Sequence, residues 1–251
     1  MRNGGAEPVA GTSLAAAMAG LRSKARPGRL AGMARFGIPS RNRWGVAVPE
    51  LRKLARKAGR NHALAAGLWR TGIPDARILA SMVDEPGKVT PAQMEAWARR
   101  FDSWDICDQA CMNLFDRTPF AWAKVRAWAG RREEFVKRAA FSLIASLASH
   151  DKSAPAGNGR GLASAKPGGP DRAFIALFPL IRRASTDDRN FVRKAVNWAL
   201  RGIGKRNRAL NRAAVGAARD IARLDSRAAR WIAADALREL ESAAVRKRLA
   251  R

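Results

Sequence analysis

Apolar side chains recur along the chain at spacings of three and four residues, the period of a helix with one buried face, and no stretch sustains the period of two that marks a half-buried strand. Tyr is absent and Val and Ile are scattered, so the residues that favour strands are thin on the ground. The pattern predicts an all-α chain. Helices are expected over Ser13 to Lys24, Pro49 to Ala58, Ala63 to Arg70, Asp75 to Val83, Pro91 to Phe101, Trp104 to Asp116 and Phe120 to Ala129. Further helices are expected over Glu133 to Ala148, Asp171 to Arg183, Arg189 to Ile203, Arg208 to Leu224, Ser226 to Leu240 and Ser242 to Leu249. Local chemistry supports some of the starts. In Thr90-Pro91-Ala92-Gln93, the hydroxyl can accept from the amide of Gln93, and Pro91 sits where no amide is needed. Asp225 is a candidate cap before Ser226.

One helix is written twice. Phe135-Val-Lys-Arg-Ala-Ala-Phe-Ser-Leu-Ile aligns with Phe191-Val-Arg-Lys-Ala-Val-Asn-Trp-Ala-Leu, which places Arg138 over Lys194 and Ser142 over Trp198. Ala76-Arg77-Ile-Leu-Ala-Ser-Met is a weaker echo. Short helices with such echoes point to a solenoid of stacked helical hairpins, with a globular bundle as the alternative. A solenoid would set the repeated cations along one face. Residues 1–12 are expected to be a flexible start, and residues 13–251 a single repeat domain. His150 to Pro170 is rich in Gly, Ala, Ser and Pro and is expected to be a flexible insert. Gly28 to Arg43 is expected to be a connector.

Composition then narrows the partner. The 251 residues carry 48 Lys plus Arg against 21 Asp plus Glu, a net charge of +27, yet 47% are hydrophobic and 8 are Trp. That excludes a disordered basic tail and leaves a folded domain whose field attracts a polyanion, nucleic acid first, although much of the excess is Arg in an Ala-rich chain, a bias that base composition alone can produce. Cys107 and Cys111 lie four apart on one expected helix, which suits buried thiols in a reducing cytoplasm better than a disulfide or a zinc site. No apolar run reaches the roughly 18 residues of a membrane span, and the Arg-rich N-terminus lacks a secretory apolar core. The expected setting is the bacterial cytosol, at the nucleoid.

Catalytic signatures are scarce. There is no phosphate-binding Gly loop, no HExxH and no GxSxG, and His62 and His150 are the only histidines, each expected at a surface or loop. What stands out is Phe101-Asp-Ser-Trp-Asp-Ile-Cys-Asp. Trp104 and Asp108 share one helix face at i and i+4. In a solenoid, Arg138 and Trp198 on the repeated helices could converge on them. On spacing alone, the competing reading is a buried Asp108–Arg138 ion pair with Trp104 and Trp198 as core fillers.

The chain also resembles a known family. Gly45-Val-Ala-Val-Pro-Glu-Leu-Arg-Lys-Leu-Ala, Leu68-Trp69, Ala76-Arg77-Ile-Leu-Ala, Ser103-Trp-Asp-Ile-Cys-Asp, Phe135-Val-Lys-Arg-Ala and Val192-Arg-Lys-Ala-Val-Asn-Trp-Ala-Leu-Arg look like the DNA alkylation repair family, the HEAT-like-repeat alkylpurine DNA glycosylases. The likeness spans roughly Met33 to Leu240. It implies a right-handed superhelical solenoid of tandem HEAT-like repeats that wraps double-stranded DNA and hydrolyses the N-glycosidic bond of N3- and N7-alkylated purines. By the same resemblance Asp108 is the catalytic carboxylate, Trp104 and Trp198 flank the lesion, Arg138 belongs to the catalytic pocket and Arg201 is a DNA contact. Where some relatives have a Tyr near the start of the repeats, this chain has Phe36, and some relatives bind unusual DNA without excising bases.

The chemistry fits those residue types. Alkylation at N3 or N7 makes the purine cationic and therefore a good leaving group, so the barrier that remains is the oxocarbenium-like sugar, which a carboxylate stabilises. Indole rings add cation–π attraction for a charged base. Arg77, Lys194, Arg201, Lys205 and Arg206 are the expected phosphate contacts. No lysine nucleophile, metal or cofactor is implied, so a monofunctional glycosylase acting as a monomer on alkylated duplex DNA is expected, with a non-catalytic nucleic-acid-binding repeat protein as the alternative.

Overall fold

A computed structural model describes residues 12–150 and 169–250; the expectations for the first residues and for 151–168 lie outside the described residues. Every regular element described is helical, as the periodicity predicts. The chain forms two compact units divided between Val89 and Thr90.

The first unit holds α1 (Leu14–Ser23), α2 (Leu30–Ala34), α3 (Val48–Ala58), α4 (His62–Arg70) and α5 (Pro74–Val83). The connector expected over Gly28 to Arg43 contains α2, a helix too short to show a period. Caps are local: Ser13 Oγ accepts from the amide of Ala16, and Asn61 Oδ1 from that of Leu64. The loop before α3 is fixed by a buried carboxylate, since Asp75 accepts the amides of Trp44 and Val46, both at 2.8 Å. Between them Gly45 has φ +73°, and a Cβ there would sit 2.5 Å from the Arg26 carbonyl oxygen, so the position admits only glycine.

The second unit holds α6 (Pro91–Ala98), α7 (Trp104–Asn113), α8 (Ala121–Trp128), α9 (Glu134–His150), α10 (Gly169–Ile175), α11 (Phe178–Ala184), α12 (Asn190–Gly204), α13 (Arg208–Ala222), α14 (Arg227–Leu240) and α15 (Ala243–Leu249). Thr90 caps α6 by accepting from Gln93 at 3.1 Å, as its motif predicts. Two expectations are corrected. The single helix expected over Asp171 to Arg183 is broken between Ile175 and Phe178, because Pro179 lacks an amide and its ring would clash with the carbonyl four residues back. The cap of α14 is Ser226, whose Oγ accepts from Ala229, while Asp225 instead pairs with Arg230.

Within this unit α7, α9, α12 and α14 lie side by side in one layer. Their cross-links show that they run parallel: Cys107 and Cys111 Sγ reach the carbonyls of Phe135 and Ala139, Phe135 meets Phe191 at 5.6 Å, and Asn197 and Lys205 meet Asp235 and Glu239. Parallel neighbours joined through intervening helices are what stacked hairpins produce, and this layer is where the repeat seen in the sequence lies. The core beneath is aromatic at one end, where Phe115 packs against Trp97, Phe101 and Trp128 with centroids 6.1 to 6.3 Å apart. At the other end it is small and aliphatic.

Candidate active site

The site begins at the start of α7. Ser103 precedes the helix in extended conformation, and its hydroxyl donates to Asp105 at 2.7 Å. One turn of helix then carries Trp104 and Asp108 on the same face, as their spacing requires. Asp108 is 8% exposed. Arg138 of α9 grips it with both edges of its fork, Nε donating to Oδ1 at 3.0 Å and Nη2 to Oδ2 at 2.7 Å, and Ser142 Oγ donates to Oδ1 at 2.7 Å. The third corner of the guanidinium, Nη1, donates to the carbonyl of Phe191 on α12 at 2.5 Å. The fork thereby joins three helices. Its carbon stands 5.8 Å from the centre of the Trp104 ring, at the edge of cation–π range.

The structure therefore brings together Trp104, Asp108 and Arg138 and adds Ser142, which sequence analysis passed over. Ser142 could have been found, since it is one turn beyond Arg138 on the same face of the repeated helix. Trp198 is half-buried on α12, about two turns beyond the Phe191 carbonyl that Arg138 reaches. Burial works against the charge on Arg138, but the carboxylate of Asp108 and its hydrogen bonds outweigh it and raise the guanidinium above its ordinary range. Bidentate, charge-assisted bonds of this kind hold a carboxylate in one orientation. Cys107 and Cys111 are buried free thiols. Burial, reinforced by negative neighbours, pushes the Cys111 thiol up, as suits a packing residue.

The expected phosphate contacts divide into two kinds. Lys194 is exposed on α12, and Arg77 is half-buried with its guanidinium 5.1 Å from the centre of the Trp69 ring. By contrast Arg201 pairs with Glu239 at 2.6 Å and Asp235 at 3.3 Å, and Lys205 pairs with Glu239 at 2.6 Å. Burial opposes the Glu239 charge, but these two cations outweigh it and hold its carboxyl below the usual range. Arg206 donates to the Ala148 carbonyl at 2.7 Å and lies 4.6 Å from the centre of the Phe174 ring. Both histidines are partly exposed at helix ends, yet each is tied to a buried carboxylate: His62 Nδ1 is 2.6 Å from Asp84, and His150 Nδ1 is 2.5 Å from Asp116. Among the described residues no group of three or more His, Cys, Asp or Glu is placed to hold a metal ion, and no helix is long and apolar enough to cross a membrane.

Comparisons with known proteins agree on the fold. A solved structure described as "a new family of proteins related to the HEAT-like repeat DNA glycosylases with affinity for branched DNA structures" superposes with a TM-score of 0.72, covering 94% of this chain and 96% of its own, at 18% identity. Among curated proteins, none matches the sequence. The family described as DNA alkylation repair enzyme matches residues 17–240, nearly the whole chain and the whole of the α7–α9–α12–α14 layer, and the protein is a member of that family.

Proposed function

We propose that the protein is a monofunctional DNA glycosylase that hydrolyses the N-glycosidic bond of cationic N3- and N7-alkylated purines, such as 3-methyladenine and 7-methylguanine, in duplex DNA. The observation that carries this reading is the fixed, nearly buried carboxylate of Asp108 one helical turn from the half-buried ring of Trp104. In the reaction the bonding pair leaves with the base, which becomes neutral. Water then forms the new bond to the sugar carbon and gives up a proton to Asp108 or to solvent. A cationic base departs without a general acid, so one carboxylate suffices.

The pairing sets the size of the effect. A sugar cation about 4 Å from Asp108 gains about 4 kcal/mol at an effective dielectric of about 20, and loses about 2 kcal/mol to a guanidinium about 7 Å away. The remaining ~2 kcal/mol is roughly thirtyfold in rate, enough to matter for an activated lesion and far too little for a normal purine. Arg138 and Ser142 act here as positioning residues. Trp104 and Trp198 supply stacking and cation–π attraction for the charged nucleotide, and Arg77, Lys194, Arg201, Lys205 and Arg206 supply phosphate contacts. The protein works on this reading as a cytoplasmic monomer without a cofactor.

A second reading is a repeat protein that binds branched DNA without cleaving the glycosidic bond. It is favoured by the three donors already on Asp108, which leave the carboxylate little spare acceptor capacity, and by the similarity to a protein with affinity for branched DNA. The test is release of free 3-methyladenine or 7-methylguanine from alkylated duplex by the wild-type protein and by Asp108→Asn. The glycosylase reading expects release by the wild type and at least a tenfold loss in the variant. If neither releases base while both bind duplex, the second reading holds, and equal release by both removes Asp108 from the mechanism.

A further inference from the structure

The Trp104–Asp108 arrangement occurs a second time. On α14, Trp231-Ile-Ala-Ala-Asp235 repeats the i, i+4 pair of an indole and a carboxylate, and again an arginine of the parallel neighbouring helix covers the indole. Arg193 of α12 lies 4.6 Å from the centre of the Trp231 ring, closer than Arg138 lies to Trp104. Asp235 accepts from Asn197 Nδ2 at 2.6 Å, pairs with Arg201 at 3.3 Å and also receives Arg238. The seam between α12 and α14 is thus a ladder at four-residue spacing, in which Arg193, Asn197, Arg201 and Lys205 face Trp231, Asp235 and Glu239.

The two places differ in two respects. At α7–α9 one guanidinium both covers the indole and grips the carboxylate, whereas at α12–α14 the tasks are divided, with Arg193 on the indole and other donors on the carboxylate. The second difference is exposure. Trp231 is 39% exposed, one of the few large apolar side chains on the surface of the described residues, although a guanidinium already stacks on it. Asp235, at 20% side-chain exposure and held by three donors, adds little repulsion for an anion. An exposed indole stacked with a guanidinium, which also donates to Asn190 Oδ1 at 3.4 Å, is a platform for a flat ring with a phosphate attached, and the exposed Lys194 follows Arg193 on the same helix.

We infer that Trp231 and Arg193 form a second nucleotide site, distinct from the Asp108 site, that stacks an unpaired base of DNA and takes its phosphate. The inference rests on the DNA-binding reading above. A fully paired duplex keeps its base faces within its own stack, so the occupant is a single-stranded segment, such as the arm of a flap or the open strand at a branch.

The test compares three labelled probes, a paired duplex, the same duplex with a single-stranded flap, and a short oligothymidylate, on the wild type, Trp231→Ala and Trp231→Phe. Because the side chain is exposed, the variants are expected to keep the wild-type melting temperature. Trp231→Ala is expected to bind the flap and the oligothymidylate about tenfold more weakly, to bind paired duplex within twofold of wild type, and to release alkylated bases from duplex unchanged; Trp231→Phe is expected to restore most of the loss. Unchanged flap binding by Trp231→Ala overturns the site while leaving the DNA-binding reading intact, as does an equal loss on paired duplex. If the wild type binds none of the probes, the DNA-binding reading falls and the second site with it.

Discussion

Asp108 and Glu95 show how differently an acid is used in a strongly basic chain. Asp108 is nearly buried, and its orientation is set by the fork of Arg138, so removing the arginine would strand a charge and removing the acid would strand a guanidinium. Glu95 sits at the other extreme, a partly exposed hub that accepts from Trp128 Nε1 and Arg131 at 2.8 Å, Arg99 at 3.1 Å and Lys124 at 3.3 Å. Burial raises its pKa, but these donors outweigh it and hold the carboxyl at about 2. Asp187 is likewise held at about 2, where burial is outweighed by Arg189 and Lys137. A carboxyl depressed in the folded state contributes stability that is full above its unfolded value and is lost as pH falls through its folded value. For Glu95 that window runs from about pH 4.5 down to about pH 2. Glu95→Gln is therefore expected to lower the melting temperature at neutral pH, with the gap to wild type closing as pH falls through the window; a gap independent of pH would show that the carboxylate's charge is not what stabilises α6 against α8.

At the scale of elements, small residues decide how closely the parallel helices approach. Gly204 ends α12 where α13 and α14 meet it, and a Cβ there would lie 2.6 Å from a Leu240 methyl and 2.9 Å from the Ala214 Cβ. Leu240 can move, but the Ala214 Cβ is fixed to its backbone. Gly216 lies in the middle of α13 and an added Cβ would meet nothing within 4 Å. The same substitution should therefore have opposite signs: Gly204→Ala is expected to cost about 1–2 kcal/mol after its gain in helix propensity, and Gly216→Ala to add about 0.5–1 kcal/mol, both read from urea unfolding. The helices themselves were largely legible, because their apolar stripes recur every turn. Two departures have plain causes: α2 is only five residues long, too short to declare a period, and over Asp171 to Arg183 the missing amide and the ring of Pro179 outweigh the apolar period and break the helix.

For the molecule as a whole, the net charge of +27 overstates what a nucleic acid would meet, because some of the cations chosen from the sequence are already paired. Lys194 is exposed, whereas Arg201 and Lys205 share Glu239. A cation that must leave a carboxylate to reach a phosphate releases fewer counterions for its trouble. Lys194→Ala is expected to reduce the slope of log affinity against log salt by about 1 on paired duplex, while Lys205→Ala changes it by clearly less; equal changes in slope would show that the Glu239 pairs open on binding. Titration with duplex DNA from about 50 to 200 mM salt measures both.

Sequence alone determined the all-helical fold, most of the helix boundaries, the family resemblance and the shared face of Trp104 and Asp108, because each depends on period, on residues next to one another, or on order along the chain. Tertiary structure alone decided which helices run side by side, and with that the partners: that Arg138 grips Asp108 and reaches the Phe191 carbonyl, that Ser142 completes the carboxylate's shell, and that Arg201 and Lys205 spend charge on Glu239. It also revealed a second indole and carboxylate on α14 in the same relation to a neighbouring arginine. Spacing fixes the face on which a side chain stands, whereas its partner is fixed by the register between helices distant in sequence, which small residues at their contacts set and which no local pattern records.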